Sequence, residues 1–112
     1  MDRHLFDILK QNAIGVAESF DNACEVVIHD MTKPSLSNSI QFIVNGDLTN
    51  RSIGDGMLPG IEASLRAEKA PLRNVMQFET VLSGGKHIKC TLICIHDEKG
   101  LLTAIVSINK VI

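Results

Sequence analysis

Seven residues, Cys24-Glu25-Val26-Val27-Ile28-His29-Asp30, combine a β-branched run with a carboxylate near its start and a His-Asp pair at its end. A strand that ends in polar groups, followed by a loop carrying Arg51 and Gly54, is how a small α/β domain lines a pocket. An Arg in a Gly-flanked loop presents a planar fork suited to a carboxylate. The same Arg could instead pin its loop through an ion pair with Asp47, Asp55 or Glu25. A buried His29 beside a carboxylate could hydrogen-bond a polar ligand and titrate near neutral pH, or serve a structural bond to a neighbouring backbone carbonyl. Asn45 could orient a ligand, although Asn45-Gly46 is first of all a turn.

Other clusters carry less. Cys90, Cys94 and His96 have one parity and so share a strand face, and with Cys24 and His29 they raise a metal reading. The tight paired spacing of a structural zinc site is absent, and small buried Cys is ordinary core filler. Nothing singles out a haem ligand or a flavin motif, so no cofactor is expected. An enzyme needs a nucleophile with its base, or paired carboxylates, in one cleft. Adjacent strand residues face opposite ways, so His29 and Asp30 cannot line one cavity unless the strand bulges. The expectation is a non-enzyme.

Such a site needs elements to hold it. The 112 residues suffice for one domain, with a core that buries about two-thirds of the unfolded surface. The 45% hydrophobic and 21% charged composition is that of a soluble globular domain, and with 4% aromatics the core is aliphatic. A net charge of −2 argues against nucleic-acid binding by this chain. Three cysteines and no signal-like N-terminus point to reduced thiols in the cytoplasm. Cys90 and Cys94 would lie about 13 Å apart on a strand, too far for a disulfide. No apolar run reaches the length of a membrane span.

Leu5, Ile8, Leu9, Val16 and Phe20 recur at helical spacing, with Ala13 in the same stripe. This predicts an amphipathic helix over 3–19, with Asp2 as N-cap and Gly15 as a weak point. The stripe either packs on the chain's own sheet or meets a partner. The dimer reading assigns Leu5, Ile8, Leu9 and Val16 to the interface. Strands are expected over 24–29 and 39–44, and a helix over 59–68 with Pro59 in its first turn. An antiparallel meander follows over 75–82, 86–96 and 101–109, turned at Ser83-Gly84-Gly85 and at Asp97-Glu98-Lys99-Gly100. The string helix, β, β, helix, β, β, β predicts an α+β fold: a five-stranded antiparallel sheet in order 2-1-5-4-3, a PAS-like arrangement with helices on one side. Residues 1–20 form the N-terminal helix, and 21–112 the core.

The chain resembles the YheO-like PAS family, the sensor domain of a group of bacterial transcription regulators. The resemblance runs from Cys24–Asp30 through Asn38-Ser39-Ile40, Asn45-Gly46, Arg51 and Gly54. It continues through Lys89-Cys90-Thr91 and Asp97–Gly100 to Ile108-Asn109, covering about 20–109. It departs at Thr49-Asn50, where the family carries Ser-Gly, and at Val111, where an Asp is expected. Asn can supply the left-handed conformation of the missing Gly. The resemblance implies a domain that binds a small polar metabolite, such as an amino acid or similar carboxylate, and signals as a homodimer. It adds Asn109 to His29, Asn45 and Arg51 as ligand contacts. Such proteins continue into a helix-turn-helix domain, so DNA would be reached only through a domain absent from this chain. The expectation is either an isolated sensor domain or a single-domain relative. The alternative is a ligand-free interaction module with a filled core.

Overall fold

Asp2 starts the first helix, α1 (Arg3–Ser19): its carboxylate accepts from the Leu5 N–H at 3.1 Å, which satisfies one of the free donors of the first turn. Gly15 does not interrupt the helix. It stops at Asp21 and Asn22, which both adopt positive φ, 52° and 58°. The computed structural model describes residues 1–67 and 73–112. After α1 come β1 (Cys24–Asp30), a 3-10 turn at Leu36–Asn38, β2 (Ile40–Val44) and a second 3-10 turn at Gly46–Leu48. Then follow α2 (Pro59–Ala67), β3 (Val75–Val81), β4 (His87–His96) and β5 (Leu102–Val111). The expected end of α2 at residue 68 lies outside the described residues. No helix among them is long and apolar enough to cross a membrane.

The five strands form one antiparallel sheet in the order β2-β1-β5-β4-β3, as the element string predicts. Register decides which side chains share a face, because directly opposed residues point the same way. Glu25, Asn109 and Cys90 form one cross-strand row; Val27, Ser107 and Leu92 form the next; His29, Ile105 and Cys94 form a third. These rows make the inner face. Met57, Ile61, Met76, Ile88, Cys90, Leu92, Cys94 and Ile105 pack there as one apolar cluster beneath α2.

The outer face belongs to α1. Ala13 and Ala17, the buried residues of the helix, meet Cys24, Val26 and Ile28. Small residues on the helix let the two backbones approach closely, and Phe6, Leu9 and Val16 pack around that contact. Leu9 and Val16 of the expected dimer stripe are thus engaged by the chain's own sheet. Ile8 is 45% exposed and Leu5 is half-buried. β1, covered on both sides, is buried along its whole length.

The connection after β2 folds back onto the sheet. Ile40 N–H donates to the Asp55 carbonyl at 2.8 Å, Gly54 N–H to the Ile40 carbonyl at 3.0 Å, and Arg51 N–H to the Gly46 carbonyl at 2.9 Å. The contacts leave no room for side chains at two glycines. A Cβ on Gly46 would run into the Arg51 carbonyl oxygen, and one on Gly56 would come within 2.7 Å of the Leu36 carbonyl oxygen. Asn50 takes the left-handed conformation, φ 56°, filling the role of the glycine expected before the loop Arg.

Candidate functional site

Glu25 is the hub of the inner face. It is wholly buried, a costly place for a carboxylate unless every oxygen is answered. Arg51 Nη2 donates to Oε1 at 2.7 Å and Asn109 Nδ2 donates to the same oxygen at 2.8 Å. The Thr49 hydroxyl donates to Oε2. Arg51 completes its own set with Nε to Thr49 Oγ1 at 2.7 Å and Nη1 to the Gly56 carbonyl at 3.0 Å. Its side chain is only 10% exposed. Ser107 Oγ donates to Asn109 Oδ1 at 2.8 Å and so orients that amide. Of the three carboxylates the sequence offers Arg51, the fold selects Glu25. Asp55 instead accepts from the Ser52 N–H at 2.9 Å.

Beside this network lies a cavity of about 10 Å³ lined by His29, Arg51, Ser107 and Asn109 on one side and by Met57, Leu58, Ile61 and Leu92 on the other. That is room for about one water molecule. His29 Nδ1 lies 2.8 Å from Ser39 Oγ, with Ser39 fully buried. Burial, reinforced by the nearby Arg51 guanidinium, pushes the His29 pKa down to about 3. The ring is therefore neutral at physiological pH, which corrects the expectation that it titrates near 7.

Three of the four expected ligand contacts, His29, Arg51 and Asn109, meet at this cavity. Asn45 does not line it: its Nδ2 donates to the Cys24 carbonyl at 2.9 Å while its backbone turns at φ 61°. That side chain fastens the start of β1. His29 and Asp30 do part company across the strand. Asp30 accepts from Thr32 Oγ1 at 2.6 Å and from the N-terminal ammonium at 3.4 Å. Burial opposes its ionisation, but these donors hold its pKa below the usual value.

Cys90, Cys94 and His96 do not gather into one site. The extra residue at the β4–β5 register shift lies in β5, between Leu102 and Ala104, and His96, the last residue of β4, is exposed while both cysteines are buried. Burial raises the thiol of Cys90 to about 11 and lifts those of Cys24 and Cys94 as well, so all three are inert as nucleophiles near neutrality. Among the described residues no group of three or more His, Cys, Asp or Glu side chains is placed to hold a metal.

Sequence reasoning missed Glu25 as the centre, together with Thr49, Ser107 and Ser39. One signal was present: Glu25 and His29 are four apart on one strand and so face the same way. Thr49, Ser107 and Ser39 carry no comparable signal.

A family model described as YheO-like PAS domain matches residues 1–111. Among curated protein sequences no relative is found. Similar solved structures include a light-oxygen-voltage domain studied with a flavin analogue, at TM-score 0.56 and 14% identity over 88% of this chain and 84% of that one. Another is the light state of the blue-light photoreceptor Aureochrome1 LOV, at 0.56 and 17%, covering 87% of this chain and 88% of that one. A third is an RNA-binding light-oxygen-voltage receptor, at 0.56 and 13%, covering 86% of this chain and 31% of that one. At these identities the likeness is one of fold.

Proposed function

The chain belongs to the YheO-like PAS domain family, and on that premise we propose that it is the sensory domain of a bacterial transcription regulator, binding a small polar metabolite at the inner face of its sheet. The observation that carries this reading is the convergence of His29, Arg51, Ser107 and Asn109 on one cavity beneath the 46–58 connection. A domain built only to hold its shape has no need of a buried ion pair there, since apolar residues of similar volume are often as stable or more so. Binding would lift and reorder the connection after Arg51. β1 is the route outward: it carries Glu25 and His29 on one face and Val26 and Ile28, under α1, on the other. A shift of β1 would move α1 and repack a homodimer through its exposed side, where Ile8 lies. The signal requires only that the ligand bind one arrangement better than the other. Output to DNA would pass through a separate domain.

A second reading rests on the cavity's size. At about 10 Å³ the interior is nearly filled, which suits a ligand-free dimerisation module. Native mass spectrometry of the protein, before and after incubation with a polar metabolite extract, separates the two. A retained small molecule supports sensing. Dimers that stay bare in both conditions support the module.

A further inference from the structure

Glu25 and Arg51 form one ion pair, but they belong to different parts of the fold. Glu25 is fixed on β1 and held by Asn109 of the neighbouring β5. Arg51 rides on the connection, which closes over the sheet through backbone bonds at Ile40 and Gly46 and through this side chain. The cavity admits about one water, so a larger occupant has to move a wall off the sheet, and the wall that carries Arg51, Met57 and Leu58 is that connection. Opening it draws the two charges apart at the cavity's own wall.

The chemistry of the occupant follows from what each charge then lacks. A ligand with only a carboxylate satisfies Arg51 but brings a second negative group toward Glu25. An amine satisfies Glu25 and leaves Arg51 uncompensated. A neutral polar molecule replaces neither partner, and an unpaired buried charge is the costly state. His29, neutral here, adds no charge to be balanced. The facing wall of Met57, Leu58, Ile61 and Leu92 is apolar.

Resting on the sensing reading above, we infer that the site takes an aliphatic amino-acid zwitterion, its carboxylate replacing Glu25 on Arg51, its ammonium replacing Arg51 on Glu25, and its side chain against Met57 and Ile61. The closed ion pair occupies both halves of that site in the ligand's absence. Release of the connection and recognition of the ligand are then the same exchange of partners.

The test is thermal unfolding and calorimetric titration of the whole chain with alanine, valine, leucine and methionine, each set against its deaminated acid and its decarboxylated amine. For leucine these are isocaproate and isopentylamine. At least one amino acid is expected to raise the Tm, with its acid and its amine binding weaker by about tenfold or more. Glu25→Gln keeps a hydrogen-bonding oxygen for Asn109 and removes the ammonium's partner. In that variant the acid should bind as tightly as the amino acid. The wild-type series stands without the variant if Glu25→Gln fails to fold. An acid or an amine that binds wild type as tightly as its parent overturns the zwitterion and leaves sensing intact. A series in which nothing binds also overturns it. Sensing itself falls only if the metabolite extract leaves no retained mass.

Discussion

Along β1 the odd- and even-numbered residues meet different chemistry. Val26 and Ile28 face α1 across Ala13 and Ala17, in a contact made of aliphatic carbon and held by shape. Glu25 and His29 face the connection and α2 in a setting of ion pair, amide, hydroxyl and neutral imidazole. The outer face holds no buried charge that a change could leave unpaired. On the inner face each polar atom was removed from water and depends on the few partners the network supplies. Stability is therefore spread out on one side and concentrated on the other. A ligand exchanging hydrogen bonds has something to act on only at the concentrated side.

The largest expected effect tests that concentration. Glu25→Ala should lose about 3–5 kcal/mol in urea unfolding, because Arg51 is left buried without its counter-charge. Replacing both Glu25 and Arg51 with Leu should recover most of that loss. If the single variant costs no more than an ordinary core change, the contrast between the faces disappears. By the same logic Arg51→Ala should destabilise by a similar amount, because Glu25 is then the buried charge left without a partner. On the outer face, Ala17→Leu should cost about 1–3 kcal/mol by forcing α1 off the sheet, read as a lower urea midpoint with unchanged slope.

His29 gives a pH test confined to the inner face. Its folded pKa of about 3 lies below the ordinary 6.5. Between those values the unfolded chain holds a proton that the folded one excludes. Its contribution is thus complete above pH 6.5 and is lost as pH falls toward the folded value, at a limiting slope of about 1.4 kcal/mol per pH unit. The wild type minus His29→Gln difference should show that slope. A flat difference would mean the ring takes up its proton without resistance. The smallest expected stability effect is at Ile8, on the exposed side of α1. Ile8→Glu should change the monomer's unfolding free energy by less than about 0.5 kcal/mol yet turn the proposed dimer into a monomer in sedimentation. Leu9→Glu is a poorer probe of assembly, since Leu9 packs on the chain's own sheet.

Much of the scaffold was legible. The apolar period of α1, the Asp2 cap, the Asn45-Gly46 and Gly-rich turns and the three-strand meander are local signals, written within a few residues of where they act. The site was legible only in part. Arg51 and His29 stand out by residue type, and Asn109 entered through family resemblance. For Asn45 the sequence gives an amide but not its direction, which the fold sets toward the Cys24 carbonyl. For His96 the sequence gives a shared parity with Cys90 and Cys94 but not the exposed strand end on which it falls.

What the sequence determined by itself was therefore the set of elements and their order, because backbone preference and apolar period act over one or two turns of chain. What tertiary structure alone decided was the pairing. Glu25 meets Arg51 across 26 residues and Asn109 across 84, distances over which composition carries no information about contact. Three carboxylates were open to Arg51. The register of β1 on β5 and the return of the connection over the sheet left one within reach, and burial made that one binding.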